Sequence, residues 1–366
     1  MNRVNDSRVI VESSDIRLDK GVESADITAK TQNKKDAIRE KINEVKDSQS
    51  ELYNREWEAN DEYEVADDDI ENSFIAMQFN ILAQGLSSGP EVEPPFPGDI
   101  ERNNYGRFTI PNKEIILDFE KRKWRILEVI LAHSPDVLAL EEIDRFYSFF
   151  EPNLAVFGYE GFFIPKPTSP CIESGWYSDG CALFWKKETF ELILNSIDAQ
   201  RYTENNSQIF IAAKLTHKKT RKTIKVAVTH LKAKGGKDKD EIRMKQVQRL
   251  IQALKDDENS IESPLLIMGD FNTGPTSGCI KELMEKLDVT SAYNIYDEQK
   301  LEYTTCKLRG KISKQIIDYI FHNDGLHCSN LLSVPKESEL EEHKLPGLKF
   351  PSDHINIAAK FCFRLL

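Results

Sequence analysis

Several features are scarce or missing in this chain of 366 residues, and each omission excludes a class of protein. No run approaches the roughly 20 apolar residues that a membrane-spanning helix needs. The N-terminus lacks the apolar stretch of a secretory leader, and its acidic residues disfavour a mitochondrial transit peptide, which is basic. We therefore expect a soluble, cytoplasmic protein without a membrane span.

The six cysteines are widely scattered, and no two of them form a C-x-x-C pair. This spacing excludes a zinc knuckle and a dense disulfide framework. We expect reduced thiols. No internal repeat is long enough to indicate a solenoid or a propeller.

Acidic charge is concentrated in the first 70 residues. This segment holds 11 Lys and Arg against 19 Asp and Glu, a net charge of −8, whereas the rest of the chain carries only −4 of the total of −12. The same segment has one glycine, no proline and few large apolar residues. We therefore interpret residues 1–71 as an acidic, largely disordered extension.

One amphipathic helix is predicted within the extension, over residues 36–58. Its apolar residues recur at helical spacing, and they are Ile38, Ile42, Val45 and Leu52. Two interpretations stay open. The helix could bind a protein partner, or it could be a marginal helix in solvent, which the break in the heptad after Leu52 favours.

Residues 72–366 are predicted to form one α/β domain. Short apolar runs typical of strands alternate with a few helices, notably around Trp124–Leu131 and Glu241–Leu254. This pattern predicts two packed mixed β-sheets flanked by helices, a four-layer α/β sandwich. The prolines of Ser87–Asp99 predict an exposed loop. The expected strands are Ile75–Phe79, Asp136–Leu140, Phe162–Ile164, Cys181–Trp185, Ile209–Leu215, Thr223–Thr229, Leu265–Met268, Asp318–Phe321 and Ile355–Phe363.

Polar residues border these strands at the points where a sheet presents catalytic groups to its loops. Each has a structural explanation when taken singly, such as a turn cap, a surface carboxylate or a core histidine. Together, oxygen ligands without cysteine suit a hard cation such as Mg²⁺. Hydrolysis of a phosphate ester needs such a cation and a base for the attacking water. The bordering residues are Asn80, Glu141, Glu142, His230, Asp270, Asn272, Asp353 and His354.

Six segments, in chain order, resemble the motifs of the endonuclease/exonuclease/phosphatase superfamily. The resemblance extends from about Phe74 to the C-terminus, and residues 1–70 match no family that we can name. It implies the four-layer sandwich and metal-dependent hydrolysis of a phosphate ester. The segments are Gln78–Leu82, Leu140–Asp144, Thr229–Lys232, Gly269–Asn272, Ile317–Ile320 and Ser352–His354.

The resemblance also implies a role for each motif residue on the metal side. Glu142 resembles the magnesium ligand, and Asn80 resembles the residue that positions the metal or the phosphate. Asp270 resembles the residue that orients or deprotonates the attacking water. Asn272 is its phosphate-binding neighbour, and Asp353 supports the metal-side network.

Three further motif residues are implied on the phosphate side. His354 resembles the histidine that contacts the phosphate, oriented by Asp318, and His230 would contact the phosphoryl oxygens. A histidine held by a carboxylate is fixed in tautomer and orientation, which agrees with this assignment.

Within the superfamily, the nocturnin branch is the most similar. The similarity lies in Gly158–Cys171, Asp179–Phe184, His230–Lys234 and Tyr303–Thr305. It implies removal of the 2′-phosphate from NADP⁺ and NADPH. A few convergent cations suit such a small substrate, and a domain of net charge −4 offers no basic track for RNA. The implied substrate-binding residues are Lys166, Pro167, Thr168, Ser207, Lys232, Lys234 and Arg309.

The chain departs from the family pattern at four places. Thr168 and Cys306 stand where aromatic residues are expected, Ser207 stands where an asparagine is expected, and residues 87–118 form an insertion. These departures bear on substrate preference more than on catalysis. Two alternatives stay open, a 3′-exoribonuclease acting on poly(A) and a non-catalytic scaffold whose helix at 36–58 recruits partners. We expect a monomer.

Overall fold

The computed structural model describes residues 23–60, 72–87, 110–173, 175–203, 207–255, 263–295, 297 and 300–364. No helix in these ranges is long and apolar enough to cross a membrane. The described α-helices are α1 (Glu23–Lys46), α2 (Gln84–Ser87), α3 (Lys113–Ile116), α4 (Phe119–His133), α5 (Glu151–Val156), α6 (Pro170–Glu173), α7 (Lys237–Lys255) and α8 (Gly278–Leu287). A π-helical turn (Phe146–Phe150) precedes α5, and a 3₁₀ turn (Glu337–Glu339) lies near the C-terminus.

Two seven-stranded sheets and one two-stranded ribbon contain the described strands. The first sheet contains β1 (Trp57–Ala59), β2 (Ser73–Asn80), β3 (Val137–Ile143), β4 (Tyr159–Pro165), β5 (Gly180–Lys186), β15 (Leu326–Leu332) and β16 (Ile357–Phe363). The second contains β6 (Phe190–Leu192), β7 (Asp198–Arg201), β8 (Ile209–His217), β9 (Thr223–His230), β10 (Leu265–Asp270), β11 (Val289–Ser291) and β14 (Asp318–Asn323). The ribbon is β12 (Thr305–Arg309) with β13 (Lys311–Gln315).

Both sheets are mixed. The strand order is β1-β15-β16-β2-β3-β5-β4 in the first sheet and β11-β14-β10-β9-β8-β6 in the second, with β7 added beside β8. Strands β2 and β3 run parallel, as do β9 and β10, and the other pairs are antiparallel. The predicted pair of mixed sheets is therefore confirmed.

The alternation of side chains along β2 explains the layers. Phe74 and Ala76 belong to the core between the two sheets, whereas Met77 and Phe79 belong to a second core that α4 covers. Successive side chains of a strand point to opposite faces, so one strand contributes to both cores. Asn80 continues the face of Phe74 and Ala76, and it therefore lies at the end of the core between the sheets.

The predicted extension needs correction between residues 23 and 60. The helix there spans Glu23–Lys46 and not 36–58. Its residues Ile38 and Ile42 are buried against α4 in the second core, and β1 pairs with β15. The prediction of a marginal helix in solvent is wrong because its apolar face packs on the domain, and that face is not available to a partner. The predicted disorder of residues 1–22 and 61–71 lies outside the described residues.

The rest of the predicted architecture is confirmed, with shifts at the element ends. The helix predicted at Glu241–Leu254 is α7, and all nine expected strands are present. The predicted loop Ser87–Asp99 is wrong at Ser87, which is buried at the end of α2, and residues 88–99 lie outside the described residues. All six cysteines are buried, and no disulfide joins them in the part of the chain that the structure describes.

Candidate active site

The predicted catalytic residues meet at one end of the sandwich because of the strand register. Asp270 ends β10, where it lies opposite His230 on the parallel strand β9 and opposite Asp318 at the start of β14. In the first sheet, Asn80 ends β2 opposite Glu141 on β3. The sheets pack together, so both strand ends face one cleft.

Asp270 is the centre of this cluster, with both carboxylate oxygens engaged. Asn80 Nδ2 donates to Oδ2 at 3.0 Å, and the backbone N–H of Asn272 donates to Oδ1 at 2.8 Å. The Nε2 atoms of His230 and His354 lie 3.6 Å and 4.0 Å from the same Oδ2. Burial, and then the charge of Asp318, raise the pKa of Asp270 to about 7.

His354 is held by Asp318. Its Nδ1 lies 2.9 Å from Oδ2 and 3.1 Å from Oδ1 of this carboxylate, which also accepts hydrogen bonds from Thr304 Oγ1 at 2.6 Å and Gln78 Nε2 at 3.0 Å. Burial opposes protonation of His354, but the Asp318 carboxylate outweighs it and raises the pKa of His354 to about 9. The Asp318 carboxylate therefore favours the protonated form of this histidine.

The ribbon strand β12 adds a lysine that we did not assign to the site. Lys307 Nζ lies 2.6 Å from Asp353 Oδ2 and 3.2 Å from His354 Nε2. Arg309 Nη2 is 3.7 Å from the same carboxylate. Burial alone would raise the pKa of Asp353, but Lys307, His354 and Arg309 hold it well below its usual range. Two cationic donors thus converge beside Asp270, as an anion requires.

Side chains alternate between the two faces of β12, and this alternation determines where Cys306, one of the departures from the family pattern, lies. The Thr305 hydroxyl donates to the backbone oxygen of Asp353 at 2.7 Å, on the same side as Lys307. Cys306 points the other way and is buried in the second core. This departure therefore changes core packing and does not remove a wall of the cleft.

Lys166 and Asp179 form a second charged pair, where β4 ends and β5 begins. Lys166 Nζ lies 2.5 Å from Asp179 Oδ2 and 3.3 Å from His230 Nδ1. Burial, and then Lys166, lower the pKa of His230 well below its usual value, so it stays neutral. Because an ammonium only donates, Nδ1 of His230 accepts and its hydrogen is on Nε2. Asp179 is not among the predicted site residues, although the segment Asp179–Phe184 carries part of the resemblance.

Glu142 occupies a strained position beside these pairs. A register shift between Glu141 and Ile143 breaks the pairing of β3 with β5, and Glu142 there has a φ of 57°. Positive φ in a non-glycine residue is costly and is concentrated at functional sites. The shift separates two neighbouring glutamates. Glu141 is fully buried and accepts from Gln78, whereas Glu142 is partly exposed.

The surroundings of Glu142 suit a hard cation. Burial, and then the negative charge of Asp353, raise the pKa of Glu142. Among the described residues, none donates a hydrogen bond to this carboxylate. A cation would neutralise the repulsion and satisfy the free oxygens. Asp270, Asp318 and His354 also offer ligand atoms within 4.8 Å of one another, which makes them a second group that could hold a metal ion.

The remaining predicted substrate residues lie on loops around the cleft. Lys232 is partly exposed and Lys234 is exposed. Arg243 Nη1 donates hydrogen bonds to the backbone oxygen of Lys232 at 2.6 Å and to that of Lys234 at 2.8 Å. Asn272 Nδ2 donates to the backbone oxygen of Leu231 at 3.1 Å, which ties this loop to the site.

Three predicted substrate residues have no direct link to the catalytic groups. In the ranges that the structure describes, no hydrogen bond or ion pair joins Pro167, Thr168 or Ser207 to them. Thr168 is exposed, and Pro167 and Ser207 are partly exposed. Their roles remain predictions.

The chain is similar to known proteins over most of its length. Residues 77–354 match the model of the Endonuclease/Exonuclease/phosphatase family. Nocturnin of Mus musculus is 34% identical over 296 residues, which cover 78% of this chain and 65% of the mouse protein. The probable CCR4-Not complex 3′-5′-exoribonuclease subunit Ccr4 of Encephalitozoon cuniculi is 28% identical over 294 residues, 68% of this chain and 57% of that protein.

A solved structure extends the comparison to three dimensions. The human nocturnin catalytic domain with bound sulfate anion is 30% identical and superposes with a TM-score of 0.64, covering 85% of this chain and 97% of that one. The four-layer sandwich therefore has a known counterpart. The chain belongs to the endonuclease/exonuclease/phosphatase family and is a homologue of the nocturnins.

Proposed function

We propose that this protein is a Mg²⁺-dependent phosphatase that removes the 2′-phosphate of NADP⁺ and NADPH, giving NAD⁺ and NADH. The convergence of Lys307 and protonated His354 beside Asp270 carries the proposal. Two cationic donors 3.2 Å apart lie next to a carboxylate whose pKa is about 7. This arrangement suits a phosphate group attacked by water.

The residues of the cluster divide the reaction between them. Asp270, held by Asn80 and by the backbone N–H of Asn272, orients the attacking water and accepts its proton. The water oxygen bonds to phosphorus, the bond from phosphorus to the ribose oxygen breaks, and the ribose oxygen takes a proton from solvent and leaves as a hydroxyl. His354 and Lys307 donate hydrogen bonds to the phosphoryl oxygens, where negative charge develops.

His230 and Lys166, on the opposite wall of the cleft, contribute to phosphate binding without exchanging protons. Neutral His230 presents its Nε2 hydrogen to the phosphate, and Lys166 fixes the ring through Nδ1. Asp179 holds the Lys166 ammonium in a set orientation. A Mg²⁺ ion held by Glu142, with Asp353 nearby, would supply Lewis acidity toward a phosphoryl oxygen.

The choice of NADP(H) rests on the number and grouping of the charged residues in the site. Its cations form a compact group, whereas the domain as a whole is slightly acidic. A small molecule with several phosphates matches such a group better than a polynucleotide. The human homologue binds sulfate, which has the shape and charge of a phosphate ester. The match spans 65% of mouse nocturnin, so activity and substrate are proposed for this chain alone.

The test is release of phosphate from NADPH by the purified full chain in Mg²⁺. Adenosine 2′-phosphate and a short oligo(A) are assayed as alternative substrates in parallel. The Glu142→Gln variant is the inactive control. Release from NADPH that is lost in Glu142→Gln supports the proposal. The proposal is overturned if the wild-type protein releases no phosphate from NADPH at any Mg²⁺ concentration that stabilises the protein.

A 3′-exoribonuclease acting on poly(A) is the second candidate. The relationship to the E. cuniculi subunit favours it, because that protein is described as a probable 3′-5′-exoribonuclease. It would use the same catalytic cluster on a diester. Shortening of oligo(A) without phosphate release from NADPH would establish it in place of the phosphatase. A non-catalytic scaffold is disfavoured by the complete catalytic set.

A further inference from the structure

Exposed aromatic side chains are concentrated on two loops beside the active site. Five large apolar side chains are about half exposed or more in the part of the chain that the structure describes. Three of them, Tyr147, Ile172 and Tyr177, lie on the loop that follows β3 or on the connection between β4 and β5. Single exposed apolar residues need no explanation, but a concentration of them beside a site does.

Arg145 links these loops through its guanidinium. Its Cζ lies 4.8 Å from the ring centre of Tyr177 and 5.4 Å from that of Trp176. Tyr177 is 64% exposed and Trp176 is partly exposed. We call Arg145, Trp176 and Tyr177 the ring platform. Flat side chains open to solvent on one side suit a planar heterocycle, because every base has a π-face to stack on them.

The ring platform is held in place before any ligand binds. Gln84 Oε1 accepts from both Nε and Nη2 of Arg145, at 2.9 Å and 2.5 Å. The backbone N–H of Trp176 donates to Cys171 O at 2.8 Å. Gly85 packs so closely on Cys171 that a Cβ at residue 85 would lie 2.5 Å from the cysteine Cβ. Groups ordered in advance lose less entropy on binding.

Chain connectivity places the ring platform close to the phosphate-binding groups. Tyr177 is two residues before Asp179, the partner of Lys166, and Arg145 is three residues beyond Glu142. Since each residue spans at most about 3.6 Å, these Cα separations are at most about 7 Å and 11 Å. One ribose separates the base of a 2′-phosphorylated nucleoside from its phosphate, which is a comparable reach.

A family departure supports the same location. The aromatic residue expected after Lys-Pro is absent at Thr168, and Thr168 is exposed. Trp176 and Tyr177 follow eight and nine residues later on the same connection between β4 and β5. The aromatic surface missing at the start of this connection is thus supplied near its end.

We propose that the ring platform stacks on a planar heterocycle of the dinucleotide substrate. This inference rests on the proposed function, because the substrate supplies the ring. Adenine and nicotinamide are both planar heterocycles, and the experiment below distinguishes which of them binds the platform.

The experiment measures binding, so that it does not depend on turnover. NAD⁺ carries both rings but no 2′-phosphate to be hydrolysed, and ADP-ribose lacks the nicotinamide. Equilibrium dialysis in Mg²⁺ gives the Kd of each for the wild-type full chain, Trp176→Ala, Tyr177→Ala and Tyr177→Phe. Leu194→Ala is the matched control, because Leu194 is 84% exposed away from the platform.

We expect both alanine variants to raise the Kd for NAD⁺ roughly five- to hundredfold, the usual effect of removing one stacking partner. Tyr177→Phe and Leu194→Ala should bind like the wild type. An equal loss for ADP-ribose assigns the adenine, and a loss for NAD⁺ alone assigns the nicotinamide.

Three results would overturn the inference. The first is no measurable binding of NAD⁺ to the wild-type protein, and the second is a Kd for NAD⁺ that is unchanged in both alanine variants. The third is weaker binding of oligo(A) by the alanine variants while their Kd for NAD⁺ is unchanged, which would assign the platform to RNA. Failure of the proposed function has a different signature, since it is read from phosphate release by the wild-type protein.

Discussion

Asp318 and His354 are joined by a 2.9 Å contact between Oδ2 and Nδ1, although 36 residues separate them in the chain. Asp318 begins β14 opposite Asp270, so one carboxylate acts on two catalytic groups. It raises the pKa of His354 by attraction and the pKa of Asp270 by repulsion. The protonation states of base and cation are therefore set together.

This coupling predicts a bell-shaped pH dependence of kcat/KM for NADPH. Asp270 must be ionised to accept a proton, so the rate rises through about pH 7. His354 must be protonated to contact the phosphate, so the rate falls through about pH 9. Initial rates measured from pH 5 to 10 at fixed ionic strength check both limbs. A rate that still rises above pH 9 would contradict the assigned role of His354.

Asp318→Asn should move both limbs toward lower pH. Loss of the negative charge lowers the pKa of His354, because the partner that raised it is gone, and lowers the pKa of Asp270, because its repulsion is gone. At pH 8.5, kcat/KM should fall roughly tenfold or more. Thr304→Val is the control, since it keeps the charge of Asp318 and removes the hydroxyl that donates to Asp318 and accepts from the backbone N–H groups of Ile317 and Asp318. Limbs that stay in place in Asp318→Asn would exclude the coupling.

Lys307→Gln should lower kcat/KM for NADPH about 100-fold, because it removes one donor to the phosphoryl oxygens. A second readout distinguishes this role from a purely structural one. Lys307 lowers the pKa of His354, so its removal should move the alkaline limb to higher pH. Lys311→Gln is matched in chemistry and lies exposed on the other ribbon strand. Equal kinetics for the two variants would remove Lys307 from the site.

Glu142→Gln should abolish stabilisation by Mg²⁺. The wild-type Tm should rise with Mg²⁺ concentration, because a ligand that binds the folded state stabilises it by RT ln(1 + [L]/Kd). In EDTA the variant should be at least as stable as the wild type, since the repulsion from Asp353 is relieved. Differential scanning calorimetry measures both, with the exposed Glu160→Gln as control. A Tm of Glu142→Gln that still rises with Mg²⁺ would place the ion elsewhere.

Local sequence pattern predicted the strands and the residues that end them. Ile209–Leu215 was expected and β8 spans Ile209–His217, because an apolar run between polar loops is a local signal. Asn80, His230 and Asp270 followed from the same reasoning, since each ends a strand of this kind.

The missed residues depend on contacts between distant parts of the chain. Lys307 lies in the site because Thr305 bridges to His354, 49 residues later, and no local pattern contains that pairing. The packing of α1 is likewise decided by the complementary face of α4. A short apolar stripe by itself does not distinguish a packed helix from a solvated one.

The attachment of residues 23–60 to the domain can be measured through Arg55. Its guanidinium donates to Ser333 O at 2.6 Å, to Asn356 Oδ1 at 2.5 Å and to Asn356 O at 2.9 Å. Arg55→Met leaves these acceptors without their donor, which should lower the free energy of unfolding by about 2–4 kcal/mol. Urea denaturation of the full chain measures the loss. Lys41→Ala should change stability by less than about 0.5 kcal/mol, because exposed residues and ion pairs contribute little. If Arg55→Met unfolds like the wild type, residues 23–60 do not contribute to the stability of the domain. If it is destabilised, the folded unit begins well before residue 72, and Asn356, two residues beyond His354, connects this N-terminal segment to the active site.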